Sequence, residues 1–138
     1  MPYATQDDLE RRFGAVQLLA IADRDQDGAI DPEVVARALQ DADGQIDAYL
    51  GTRYALPLAS VPAVVNTLAC DIAFYRLHTS GQPEDVAARY KDAIASLRDL
   101  AAGRSTIDAG AIPAPPVAGD AAFSGPERVF SRDSLRGL

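Results

Sequence analysis

Between Asp23 and Asp31 the chain reads DRDQDGAID, with four carboxylates on one short turn. Asp23, Asp25 and Asp27 fall at the first, third and fifth positions of a calcium loop of the EF-hand kind. Gly28 falls at the sixth, where the sharp turn needs glycine, and Asp31 at the ninth. A hard cation wants this many oxygens on a tight loop. The twelfth position should carry a bidentate Glu, but it is Val34, and Glu33 stands one residue early. Losing that ligand removes two oxygens. The spacing therefore predicts weak calcium binding through Asp23, Asp25, Asp27 and Asp31, in a structural rather than a sensory role, and no other cofactor. The same residues also read as an acidic, solvated turn between helices. Asp31 is a good N-cap, and Pro32 sits at the first helical position, where a missing N–H costs nothing. This second reading accounts for the turn without a metal.

Other reactive side chains are sparse. Cys70 lies among apolar neighbours at helical spacing and reads as a small buried hydrophobe. His78, the single histidine, has no acid or nucleophile motif beside it. Neither a P-loop nor a dinucleotide glycine pattern occurs. The carboxylates sit mostly at helix starts or on polar faces. Arg53 and Tyr54, just past a helix stop, suit either a partner contact or a pinned corner. The chain is therefore not expected to be an enzyme.

Composition narrows the classes further. A chain of 138 residues suggests one domain with a modest core. The net charge of -7 disfavours gripping nucleic-acid phosphates or an anionic membrane. One cysteine cannot form an internal disulfide, which fits a reducing cytosol. The N-terminus MPYATQDDLERRF lacks the apolar core of a signal peptide, and no stretch is apolar enough to span a membrane. The expectation is a soluble protein made in the cytoplasm.

The elements that would position these residues read as helices. Thr5 and Asp8 form a capping box, Leu9 and Phe13 share a face, and Gly14 is a stop. A short apolar run, Val16 to Ala22, adds one or two turns. Val35, Leu39, Ala42, Ile46 and Leu50 then recur at intervals of three and four, until Gly51. Pro62 opens the next helix, whose wide apolar stripe from Val64 to Ala73 predicts the most buried element, with Asp71 on its polar side and Gly81 as its end. Pro83-Glu84-Asp85 starts a last helix that stops at Gly103. The fold class expected is all-α, a small bundle of four to five helices over residues 1–103. Residues 104–138, rich in Pro, Ala and Gly, are expected to form an extended arm. Apolar residues recur there, among them Phe123, Val129, Phe130 and Leu135. A purely solvated linker would not need them, so they are expected to anchor the arm on its own core or on a neighbouring subunit.

Six stretches in order carry a family resemblance: YATQDDLERRFG, DRDQDGAID, IDAYLGTRYALPL, DIAFYRL, RYKDAIASL and FSRDSLRGL. Together they resemble the Mu-type phage head–tail adaptor family over almost the whole chain. The resemblance implies a structural virion protein at the neck. Its copies would form a homo-oligomeric ring, expected to be a dodecamer, under the portal protein. The ring would join the capsid to the next neck or tail-completion protein, and DNA would pass through without specific binding. The resemblance implies no catalytic residues. The competing reading is a calcium-binding helical interaction module with a degenerate EF-hand-like loop, and calcium titration separates the two.

Overall fold

The computed structural model of the chain describes residues 2–107. They form five α-helices and no sheet: α1 (Gln6–Phe13), α2 (Ala15–Ala22), α3 (Pro32–Leu50), α4 (Ala63–Leu77) and α5 (Glu84–Ala102). The all-α expectation is met.

Local chemistry sets the first break. The Thr5 hydroxyl accepts from the Asp8 N–H at 3.3 Å, and the Asp8 carboxylate accepts from the Thr5 N–H at 2.9 Å. This reciprocal pair satisfies two N–H groups at the start of α1. Gly14, with φ of 94°, turns the chain between α1 and α2 in a conformation that L side chains rarely adopt.

The core gathers around α4, which buries Val65, Leu68, Ile72, Phe74 and Leu77 on several sides. It runs against both α3 and α5. The first half of α3 (Val34, Arg37, Ala38) shares a pocket with Arg76 and Leu77 at the end of α4. Val86 and Arg89 at the start of α5 line a cleft with Phe74 and His78. At the opposite end, the Thr52 hydroxyl after α3 reaches the Ala101 carbonyl near the end of α5, at 3.5 Å. α1 lies along α4: Asp8 meets Asn66 in its first turn, and Phe13 stacks on Phe74 near its end, ring centroids 3.8 Å apart.

Four local expectations change. α4 stops at Leu77, with His78 as its cap, ahead of Gly81. Its last buried residue is Leu77, so packing gives no reason to continue. Asp71 is buried rather than on a solvated face, because Arg12 of α1 reaches it at 3.4 Å. Val64 opens α4 but is exposed. Asp31 precedes α3 without its side chain capping it; that carboxylate instead accepts the Arg24 N–H at 2.8 Å, closing the acidic turn.

Candidate functional site

The acidic turn joins α2 to α3, and its shape follows from side chain to backbone hydrogen bonds. Asp23 accepts from the Asp27 N–H at 3.1 Å and from the Gly28 N–H at 3.0 Å. Asp27 accepts from the Ala29 N–H at 2.9 Å. Such Asx bonds replace the helical ladder and wind the loop tightly. Gln26 and Gly28 take positive φ values of 59° and 84°. The Asp31 N–H donates to the Ala22 carbonyl at 3.0 Å, tying the two ends of the loop together.

This winding brings the four predicted ligands together. Each of Asp23, Asp25, Asp27 and Asp31 offers a carboxylate oxygen, and these atoms all lie within 4.8 Å of one another. Oxygens on a calcium shell of radius about 2.4 Å are at most about 4.8 Å apart, so the cluster has the span of a shared cation. Within the cluster the carboxyls differ. Asp25 holds its proton above the ordinary carboxylate range, through partial desolvation, its bond to Asp23, and the charges of Asp27 and Asp31. Asp23 is also partly desolvated, but the N–H of Gly28, the Asp25 carboxyl and the N–H of Asp27 outweigh that and hold it lower. Val34, at the place of the missing ligand, packs against the core. The loop can thus offer one oxygen from each of four acids, without a bidentate closure.

Arg53 and Tyr54 follow α3 and part company. Tyr54 is buried, and its hydroxyl accepts the N–H of Ile107 at 3.2 Å. Arg53 is exposed, and its guanidinium covers Gly103 at the end of α5: a Cβ there would stand 2.7 Å from its Cζ. The pair therefore forms the corner under which the chain leaves α5. Arg104 joins it, its N–H bonded to the Asp99 carbonyl at 2.9 Å and its guanidinium to the Asp99 carboxylate at 2.8 Å. Ile107 is buried against the bundle. Phe123, Val129, Phe130 and Leu135 lie outside the described residues.

Two features had no local signal. Tyr3 is a hook ahead of α1. Its N–H donates to Asp43 at 3.1 Å, its hydroxyl donates to Asp47, and its carbonyl accepts the Asn66 amide at 2.9 Å. Burial, then Asp47, push the phenol well above its usual range. The second feature is a cleft of about 530 Å³, walled by Phe13, Ile21, Phe74, Val86, Arg12 and Arg89. Both guanidiniums stand over the Phe13 ring, Arg12 at 5.9 Å and Arg89 at 5.5 Å.

No convergent acid–base pair occurs among the described residues. Cys70 is buried, and burial pushes its thiol up to about 11, so it is not a ready nucleophile. His78 Nδ1 lies 2.8 Å from the Phe74 carbonyl oxygen, so that nitrogen donates to its own helix. No helix among the described residues is long and apolar enough to cross a membrane.

Comparison with known proteins gives the family. The family model described as "Bacteriophage Mu, Gp36" matches residues 3–124. "Gene product J" of Escherichia phage Mu is 34% identical over 106 residues, covering 76% of this chain and 75% of that protein. The "Mu-like prophage FluMu protein gp36" of Haemophilus influenzae is 38% identical over 101 residues, covering 73% and 72%. The stretch matched by the family model takes in the Tyr3 hook, the acidic turn, the Tyr54 corner and the five helices of the described residues. This chain belongs to the bacteriophage Mu Gp36 family.

Proposed function

We propose that the chain is a structural head–tail adaptor of a Mu-like particle, not an enzyme. Copies form a ring, expected to be a dodecamer, beneath the portal protein and connect it to the next neck or tail-completion protein. The observation that carries this reading is the family membership, together with a helical body in which the reactive groups singled out above serve structure. Cys70 is core, His78 bonds its own helix, Asp8 caps α1, Asp43 and Asp47 hold Tyr3, and Asp23, Asp27 and Asp31 wind the turn. A net charge of -7 suits a ring through which DNA slides without being held.

The Arg53–Tyr54 corner gives the adaptor a fixed point of departure for residues 108–138. With Ile107 pinned by Tyr54, Phe123, Val129, Phe130 and Leu135 are the anchors by which the arm reaches a neighbouring subunit or the portal. The adaptor is made in the host cytoplasm and ends in the virion neck. Native mass spectrometry of the full chain, alone and with its portal protein, tests this. A closed multiple that is lost when residues 121–138 are removed, while helicity stays intact, is the expected result.

A secondary reading is favoured by the 4.8 Å grouping of Asp23, Asp25, Asp27 and Asp31: weak Ca2+ binding that stiffens the turn between α2 and α3. It is compatible with the adaptor role.

A further inference from the structure

A groove of about 340 Å³ runs between α3 and α5, walled by Gln45, Tyr49, Tyr90, Lys91, Ile94 and Arg98. One of its rings is firmly held. Tyr90 stacks on Tyr75, ring centroids 4.0 Å apart, and its hydroxyl accepts the Gln45 amide at 3.1 Å. Arg76 in turn donates to the Gln45 side-chain oxygen at 2.9 Å. Tyr49 and Tyr90 are both half-buried. The charges on the wall are those of Lys91 and Arg98, with no acid beside them in the lining. Grooves walled by fixed aromatic rings suit polyproline II segments. Such a segment is extended before it binds, so little entropy is lost when its prolines settle on the rings.

The chain carries a segment of this kind next to the groove. α3 and α5 end side by side, where the Thr52 hydroxyl reaches the Ala101 carbonyl and the Arg53 guanidinium covers Gly103. The last described residue, Ile107, is fixed at this end by Tyr54. The sequence that follows is DAGAIPAPPVAG, in which Pro113 and Pro116 make a PxxP motif. At three residues per turn these two prolines share one face of a polyproline II helix. The length also fits. At full polyproline extension Pro113 lies about 19 Å from Ile107, and Pro116 about 28 Å. Tyr90 stands about 18 Å along α5 from Ala102, and Tyr49 is in the last turn of α3. An arm that turns straight back from Ile107 therefore brings its prolines level with the tyrosines. Asp108, the single charge in this stretch, suits a groove whose own charges are positive.

We propose that Pro113 to Pro116 dock on Tyr49 and Tyr90 of their own chain, strapping the first part of the arm along the α3–α5 groove. The free arm then begins near residue 117, and the groove sets the direction in which Phe123 and the later anchors leave the body. The inference concerns the root of the arm and does not depend on ring formation.

The test uses the full-length double variant Lys91→Cys/Ala114→Cys under mild oxidation at low protein concentration; Cys70 is buried and does not compete. The reference is Arg89→Cys/Ala114→Cys. Arg89 is also exposed, but it lies on the opposite flank of α5 and lines the Phe13 cleft. A loose arm reaches both flanks with similar frequency. All the replaced α5 residues are exposed, so circular dichroism should show the parent helicity. The 91–114 bond should form within one chain at least about tenfold faster than the 89–114 bond. Adding Pro113→Ala and Pro116→Ala should bring the two rates together. Equal rates in the proline-containing chains overturn the proposal, as does a preference that survives loss of both prolines. A 91–114 bond found only at the mass of a dimer also overturns it, because the groove would then take the arm of a neighbour.

Discussion

Asp71 shows how one side chain can belong to the fold without stabilising it at neutral pH. It is buried on α4, and burial raises its carboxyl above the ordinary 3.8 even though Arg12 pulls the other way. Because its folded value is raised, the proton binds the folded state more tightly. That contribution is fully present below the unfolded value and is lost as pH rises through the folded one. Asp71→Asn keeps an oxygen for Arg12 but has no charge to desolvate. Its stability relative to the wild-type chain should therefore increase from about pH 3 to about pH 7. Thermal melts of both proteins at the two ends of that window check it, and a difference that shrinks with pH contradicts the assignment. Asp8, held low by the Thr5 N–H, contributes in the opposite sense, so the comparison must be between variant and parent. Asp71 was read from its residue type as solvated. Its partner lies 59 residues away, and no local pattern announces such a pair.

At the scale of elements, the local signals translated well. The Thr5–Asp8 box, Pro32 and the glycines at 14, 51 and 103 mark real boundaries because they act through neighbouring backbone. The end of α4 was misplaced because Gly81 is the obvious breaker, whereas packing stops at Leu77. The Tyr3 hook was invisible because it lies outside any periodic run and binds across 40 residues or more. Within α3, Gly44 is in regular helix, and a Cβ added there would meet nothing within 4 Å. Gly44→Ala should stabilise the protein by about 1 kcal/mol, a few degrees in Tm. An unchanged or lower Tm would mean that the exposed side of α3 there is needed bare. The acidic turn makes its own prediction. Calcium at about ten times its Kd should add about 1.4 kcal/mol and raise Tm, with chelator reversing the rise. No shift in either direction removes calcium from the account and leaves the Asx bonds as the whole reason for the four aspartates.

Over the whole molecule, residues 2–107 form a helical body whose last described residue, Ile107, is held by Tyr54. The body's classification was legible from helical periodicity, and its family from six stretches of sequence. The bare apolar side chains were not, because exposure depends on which helices cover which. Val16 and Val64 read from sequence as ordinary members of apolar runs, and only the packed bundle leaves them bare. The adaptor role proposed above would need no reactive site. The most direct measurement is the native mass of the full chain with its portal protein, alongside the chain lacking residues 121–138. The account predicts a closed ring of copies on the portal for the full chain and a folded, unassembled helical monomer for the shortened one. A full chain that stays monomeric beside the portal, or a shortened one that assembles as well as the full chain, would contradict it.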